Sequence, residues 1–402
     1  MRICYVTLGY PPAFSLGGPV RNAYYLTHEL QKLGHHVTVW CSNLSGKHSK
    51  LSDRTMRSDE SGIHVVRFNT VKCGLLGENS FGVYFWPDLP SFCRRDTSDF
   101  DVFHLDGYRD SPTLIASYFA KQEKVPYLIQ ARGTMLRLQN SILVKLLFDA
   151  LLGKTVTSRC AGFIASSSAE ADDYKSFLPP QSAIIQIPNG IDFTEFAALP
   201  AVGKLRRELS LTRPRMVSYV GRIHPLKGID VLVRAFARSR WKNAATLLIA
   251  GPDENYKNQL TALIATLGLT DAVVFGGGLS GDDVRKVYVD SDVVVCPSKR
   301  ESFGMVAVEA AVCGAPVVVT DAVGCGKELA AIGCASIVRY GDIDGLMHTI
   351  DEVLDRDQWP HCPTPQLEHL RHWLSWPRIA REYETAYMRA AQKRRTNLAN
   401  PA

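Results

Sequence analysis

The sequence lacks most of the features that would place it quickly. Its ten cysteines include no C-x-x-C pair and no cluster with histidine. Free, mostly buried thiols are expected, and neither a disulfide framework nor a structural zinc has support. No apolar stretch reaches the length of a membrane span, and the longest candidate is broken by Lys145 and Asp149. Met1-Arg2-Ile3-Cys4-Tyr5-Val6 enters a strand pattern directly, so no secretory signal is expected and cytoplasm is the expected location. No concentrated basic stripe accompanies a nucleic-acid motif. The net charge of +6 therefore reads as surface composition, and nucleic acid is excluded as a partner. Nor does a short internal repeat show.

What is present is alternation. Short apolar runs and helical patterns succeed one another along all 402 residues, the mark of α/β architecture with parallel sheets. Strands are expected at 2–8, 36–41, 63–68, 101–105, 125–130, 161–166 and 183–187, then at 215–220, 245–250, 272–275, 292–296, 316–320 and 335–339. Helices read near 20–33, 111–121, 140–157 and 168–177. In the second half they read near 228–238, 256–267, 281–290, 304–313, 326–331 and 342–355. The pattern lapses over 197–214, which contains Pro200, Gly203 and Pro214. The expected division is thus 1–199, 200–374 and a last helical segment, 375–402, with Ile379, Tyr383, Tyr387 and Met388 on one side. Two doubly wound halves place a ligand crevice at the carboxyl ends of their strands.

Three segments just after expected strands carry chemistry. Gly17-Gly18 lets backbone approach a phosphate at a helix start, but this turn is not the G-x-G-x-x-G of dehydrogenases. Gly221-Arg222-Ile223-His224-Pro225-Leu226-Lys227-Gly228 puts a guanidinium and an ammonium on one loop, a clamp for a diphosphate. In Glu301-Ser302-Phe303-Gly304-Met305-Val306-Ala307-Val308-Glu309, two carboxylates bracket a glycine and a helix N-terminus. Eight helical residues span about 12 Å, which suits two contacts on an elongated ligand better than the coupled acid pair of a glycosidase. Acids beside an anion site make sense if the ligand also bears hydroxyls, as a nucleotide sugar does. Glu309, among Val306, Ala307, Val308, Ala310 and Ala311, needs a partner.

Residues 121–159 hold seven Lys/Arg against two acids, with Leu138, Ile142, Leu146, Leu147 and Leu151 at helical spacing. Such a helix either packs its stripe on a core, the commoner case, or lies on an anionic membrane surface. Asp290-Ser291-Asp292 and Asp342-Ile343-Asp344 have D-x-D spacing but read as helix-boundary acids.

Taken together, Gly17-Gly18, Ile187-Pro188-Asn189-Gly190-Ile191-Asp192, Gly221-Arg222, Lys227-Gly228, Pro297-Ser298, the two glutamates around Phe303-Gly304 and Gly314-Ala315-Pro316-Val317-Val318 resemble, in that order, a retaining GT-B glycosyltransferase of family 4, the group 1 transferases. The resemblance implies two Rossmann-like domains facing a cleft, with the last helix crossing back to the N-terminal one. It implies hexose transfer from a nucleotide diphosphate sugar to a glycan or glycolipid hydroxyl, as in polysaccharide or lipopolysaccharide biosynthesis, with no metal and no cofactor. Gly17 and Gly18 would face the diphosphate, and Arg222 and Lys227 would bind it. Glu301 would hold sugar hydroxyls with the backbone of Phe303, Gly304 and Met305, and Glu309 the ribose. The acceptor side departs from the family. Arg132 and Asp106 stand where many members have histidines; Arg132 is too basic to be a base and would bind phosphate or acceptor, Asp106 would orient an acceptor hydroxyl, and His104 is either an acceptor contact or a buried strand residue. Another GT-B activity, an epimerase or hydrolase, and a non-catalytic nucleotide-sugar sensor are the alternatives.

Overall fold

A computed structural model describes the chain apart from residues 47–48, 74–82, 137–141, 280, 357–363 and 400–402. It divides into two units, Met1–Gly190 with Trp376–Ala402, and Ile191–Ser375.

The first unit is built on an eight-stranded sheet. Its order is Ile184–Gln186, Gly162–Ala165, Tyr127–Ile129, Val102–Asp106, Arg2–Thr7, His36–Ser42, Ile63–Phe68 and Met56–Glu60. All neighbours run parallel except the last pair. The six inner strands are buried on both faces, which is why they read as largely apolar runs. Alternation still sorts the side chains. Ile3 and Tyr5 join one core with Ala23, Leu26 and Leu30 of the helix Gly18–Lys32, and Cys4 and Val6 join the other with Ala116 and Ala120 of the helix Ser111–Gln122. The chain order reverses between Arg2–Thr7 and Val102–Asp106, where Thr7 pairs with Asp106.

The final helix, Trp376–Ala399, returns to this unit as expected. It buries Ile379, Tyr383 and Tyr387 against the sheet, while Met388 points to water at 41% exposure. Trp376 stacks on Tyr25 with ring centroids 5.7 Å apart, and Gly190 sits so close beneath that an added Cβ would lie 2.5 Å from the indole.

The second unit carries a six-stranded, all-parallel sheet in the order Val273–Gly277, Ala245–Ala250, Arg215–Val220, Val293–Cys296, Val317–Thr320, Ala335–Val338. These strands fall within two residues of the expected bounds. Both units are thus doubly wound, largely parallel sheets.

The first boundary differs from the expected one near residue 200. Ile191 pairs with Ser375, its N–H donates to Leu374 O at 2.9 Å, and with Phe193 and Phe196 it packs into the core of the second unit. The polar stretch after Pro200 is thus a surface loop and short helix within that unit, because the apolar residues before it already belong there.

Trp376→Ala empties a site that is 5% exposed. It should cost about 3–5 kcal/mol, read as a lower midpoint in denaturant unfolding of the whole chain.

Candidate functional site

In the second unit the site is assembled from the loops after the two central strands. After Val220 the chain passes Gly221-Arg222 and makes the 3-10 turn Pro225–Lys227, capped by His224, whose Nδ1 accepts from Leu226 N at 3.1 Å. Gly228 follows with φ +63°, and a Cβ there would meet Pro297 O at 2.0 Å. Only glycine lets this turn lie against the loop that follows Cys296. The two loops are tied by Lys299 N donating to Leu226 O at 2.9 Å.

That close approach brings Lys227 onto Glu301: Nζ donates to Oε2, in a pair whose side chains are 17% and 28% exposed. Glu301 is itself fixed by its backbone, its N–H to Ala322 O at 3.0 Å and its carbonyl from Gly324 N at 2.9 Å. Gly304, at φ +105°, then caps the helix Met305–Val312, and a Cβ on it would meet Val323 at 2.6 Å. The first turn of an α-helix has N–H groups without i−4 partners, and this helix end lies beside the glutamate, since the same Cβ would stand 3.6 Å from Glu301 Cγ. The Phe303 ring is buried near Trp373.

Glu309 has the partner it required: Tyr288 Oη donates to its Oε2 at 2.9 Å. Burial, and then the Glu309 charge, push the Tyr288 hydroxyl above its ordinary range, so it stays a donor. Arg222 is about half exposed and pairs with Glu254 at 2.7 Å. Glu254 escaped the sequence reading; its one signal is its place just past the strand Ala245–Ala250. Asp342 caps the helix Ile343–Leu354, while Asp290 accepts from Gly203 N and Asp292 pairs with Arg206 and Arg215. Both D-x-D pairs are therefore engaged in helix-end and ion-pair contacts.

In the first unit Gly17 is the N-cap residue of the helix that Gly18 opens. Asp106 and Arg132 come together at the point where strand order reverses. Arg132 Nε donates to Asp106 Oδ1, and Tyr5 and Thr7 hydroxyls donate to Oδ2 at 3.1 and 3.2 Å. The Asp106 side chain is 1% exposed. This corrects the role expected of Asp106: its oxygens are committed to neighbours, so it orients Arg132 instead of an acceptor hydroxyl. Burial works against the Arg132 charge, but Asp106 and Tyr5 more than offset it and hold the guanidinium above its usual range. Its other nitrogens reach Asn189 Oδ1 at 3.2 Å and Tyr5 Oη at 3.3 Å.

His104 also needs correction, as it is wholly buried. It stacks on Tyr5 at 4.4 Å and bonds Tyr387 Oη at 2.8 Å, and burial, then Arg132, keep the ring neutral well below the ordinary histidine range. It packs the last helix to the sheet and meets no acceptor.

The loop bearing Arg132 has a second anchor that the sequence reading missed. Buried Glu170 accepts from Gly133 N at 2.6 Å, from Ser166 N and Oγ at 2.7 Å and from Tyr174 Oη at 3.2 Å. The available signal was Ser167-x-x-Glu170, a capping-box spacing. Ser167 does cap the helix, but the carboxylate turns to the neighbouring loop.

Comparison with known proteins agrees with this arrangement. Residues 16–195 match the family model described as Glycosyltransferase Family 4, and residues 203–364 match that described as Glycosyl transferases group 1. The chain belongs to glycosyltransferase family 4. Among relatives of this family 4 chain, a D-inositol 3-phosphate glycosyltransferase of Salinispora tropica is 30% identical over 264 residues, 61% of this chain and 54% of that protein. The chain spans about half the length of the curated relatives it matches. Of solved structures, sucrose-phosphate synthase from Thermosynechococcus elongatus aligns with a TM-score of 0.74 at 19% identity, covering 98% of this chain and 99% of that one. Anabaena HepE in complex with UDP-glucose aligns at 0.72 and 19%, covering 96% and 99%. At these identities the structural likenesses speak for the fold.

Asp106→Ala would leave the Arg132 charge, 12% exposed in its side chain, without its counter-ion. A loss of about 3–5 kcal/mol in folding stability is expected, against a clearly smaller loss for Asp106→Asn; equal unfolding midpoints for Asp106→Ala and the parent would show that the pair is not structural.

Proposed function

We propose that this chain transfers a hexose from a nucleotide diphosphate sugar to a hydroxyl of a glycan or glycolipid, with retention at the anomeric carbon, in cell-surface polysaccharide or lipopolysaccharide assembly. The observation that carries the reading is the Lys227–Glu301 pair, held beside the N-terminus of Met305–Val312 at the carboxyl ends of two adjacent central strands. That arrangement offers a cation and helix N–H groups to a diphosphate and a carboxylate to sugar hydroxyls. The UDP-glucose named in the HepE structure is a donor of this class.

In the proposed reaction the bond between the anomeric carbon and the donor phosphate oxygen breaks while a bond to the acceptor oxygen forms on the same face. The acceptor's proton passes to a donor phosphate oxygen. Arg222 and Lys227 stabilise the charge that gathers on the leaving diphosphate, which is where electrostatic preorganisation contributes most. Glu301 fixes the sugar, and Glu309, oriented by Tyr288, accepts from the ribose. Gly17 and Gly18, at the start of the helix Gly18–Lys32, are proposed as phosphate-binding backbone in the first unit. No metal and no cofactor enter the step. No base is required from Asp106, which agrees with its engagement by Arg132. A glycolipid acceptor goes with a location at the cytoplasmic face of a membrane, reached peripherally.

A calorimetric panel of nucleotide sugars should give a binding isotherm with one donor class. Lys227→Ala and Glu301→Ala should each lower transfer of radiolabelled sugar to a membrane extract by at least about tenfold, or roughly 1.4 kcal/mol in the barrier. Full transfer in either folded variant removes this site assignment. Donor turnover equally fast without acceptor favours a hydrolase, and donor binding with no turnover favours a sensor.

A further inference from the structure

The helical stretch from Ile142 to Thr157 is arranged inside out. Seven large apolar side chains between Ile142 and Leu152 are exposed, with Leu143 at 80%, Leu151 at 66% and Leu147 at 58%. The stripe that commonly packs on a core therefore faces water. The one acid of the stretch, Asp149, instead points inward at 7% exposure, where it takes two bonds from Arg109 at 2.9 and 2.7 Å. Asp149 opens a five-residue π turn, Asp149–Gly153, of the kind that re-aims side chains within a helix.

We infer that this face docks on an anionic lipid surface, and that the acceptor of the proposed reaction is lipid-anchored. The argument is charge complementarity over an apolar patch. With its acid turned inward, the stretch shows leucines together with exposed Lys154 and half-buried Lys145, and exposed Arg159 follows it in the chain. No helix among the described residues is long and apolar enough to cross a membrane, so the stretch would lie in the interface plane. A second copy seated on the same face by a two-fold axis would bring these cations against their own copies, which is unfavourable.

The link to the acceptor is direct. Arg109, having bound Asp149, also donates to the carbonyls of Thr134 and Met135, the latter at 2.7 Å. It thereby ties the apolar stretch to the loop that carries Arg132. A lipid-anchored acceptor held at this face would have its polar end near that arginine. This substrate class rests on the transferase reading.

The test is co-sedimentation of the full chain with vesicles of phosphatidylcholine, with and without phosphatidylglycerol, at low salt. Binding should need phosphatidylglycerol. It should fall by about tenfold or more in Leu143→Gln/Leu147→Gln/Leu151→Gln and in Lys145→Glu/Lys154→Glu, with unfolding midpoint and donor calorimetry unchanged. The inference is overturned by no binding, by equal binding to both vesicles or by variants that bind like the parent. It is equally overturned by a dimer in ultracentrifugation that the leucine variant disperses without any lipid binding. Vesicle binding without donor binding would reject the transferase reading alone, and donor binding without vesicle binding would reject the lipid face alone.

Discussion

A charge removed from water has to find a counter-charge, at a cost of several kcal/mol if it does not. Two ion pairs at strand ends organise this protein on that constraint, Arg132 with Asp106 and Lys227 with Glu301. They differ in a way that separates their duties. Asp106 is sealed, at 1% exposure, with donors on both oxygens. Lys227 and Glu301 stand more open, at 17% and 28%. An ammonium has three protons to donate and a carboxylate about four acceptor positions. Lys227 can therefore keep Glu301 and still donate to a phosphate, and Glu301 can still accept from a sugar hydroxyl. The first pair is a fixed support, and the second has capacity left for a ligand.

Both pairs stand where they do because parallel strands deliver their successors to one edge of the sheet. Strand order reverses between Arg2–Thr7 and Val102–Asp106 in one unit, and between Arg215–Val220 and Val293–Cys296 in the other. Loops diverge at such a point and leave a recess above the sheet. What brings the loops back to bonding distance is local: Gly228 against Pro297 in the second unit, and Glu170 under Gly133 in the first. Removal of either contact displaces a charge that the sheet alone does not hold in place.

The parallel strands were legible in the sequence because they are buried on both faces, so Val293–Cys296 and Val317–Thr320 needed no partner to be recognised. The strand Met56–Glu60 was not, since a sheet-edge strand reading Met-Arg-Ser-Asp-Glu has no apolar pattern. Arg222, Lys227, Glu301 and Glu309 stood out by type and position after strands. The groups that hold the site loops did not: Tyr288 acts through a contact set by tertiary structure, Glu254 offered only its place past a strand, and Glu170 only a capping-box spacing that pointed to its own helix. The same holds for His104, a polar letter in a strand that proves to be packing. Ile191, Phe193 and Phe196 moved a domain boundary for a similar reason, because the core that claims them is made largely by residues distant in sequence.

Periodicity in the stretch after Ile142 correctly gave a helix with a stripe but could not say which way the stripe faces. Amphipathic helices turn their apolar side inward when nothing better fills the interior position. Here Arg109, reaching into that interior, makes a claim of its own: a buried guanidinium without a carboxylate costs several kcal/mol. Asp149 meets that claim and fixes the roll of the helix, so the leucines are left outside. The same guanidinium holds the carbonyls of the Arg132 loop. One arginine thus decides both which surface the helix shows and where the Arg132 loop stands, and a change at either end is felt at the other.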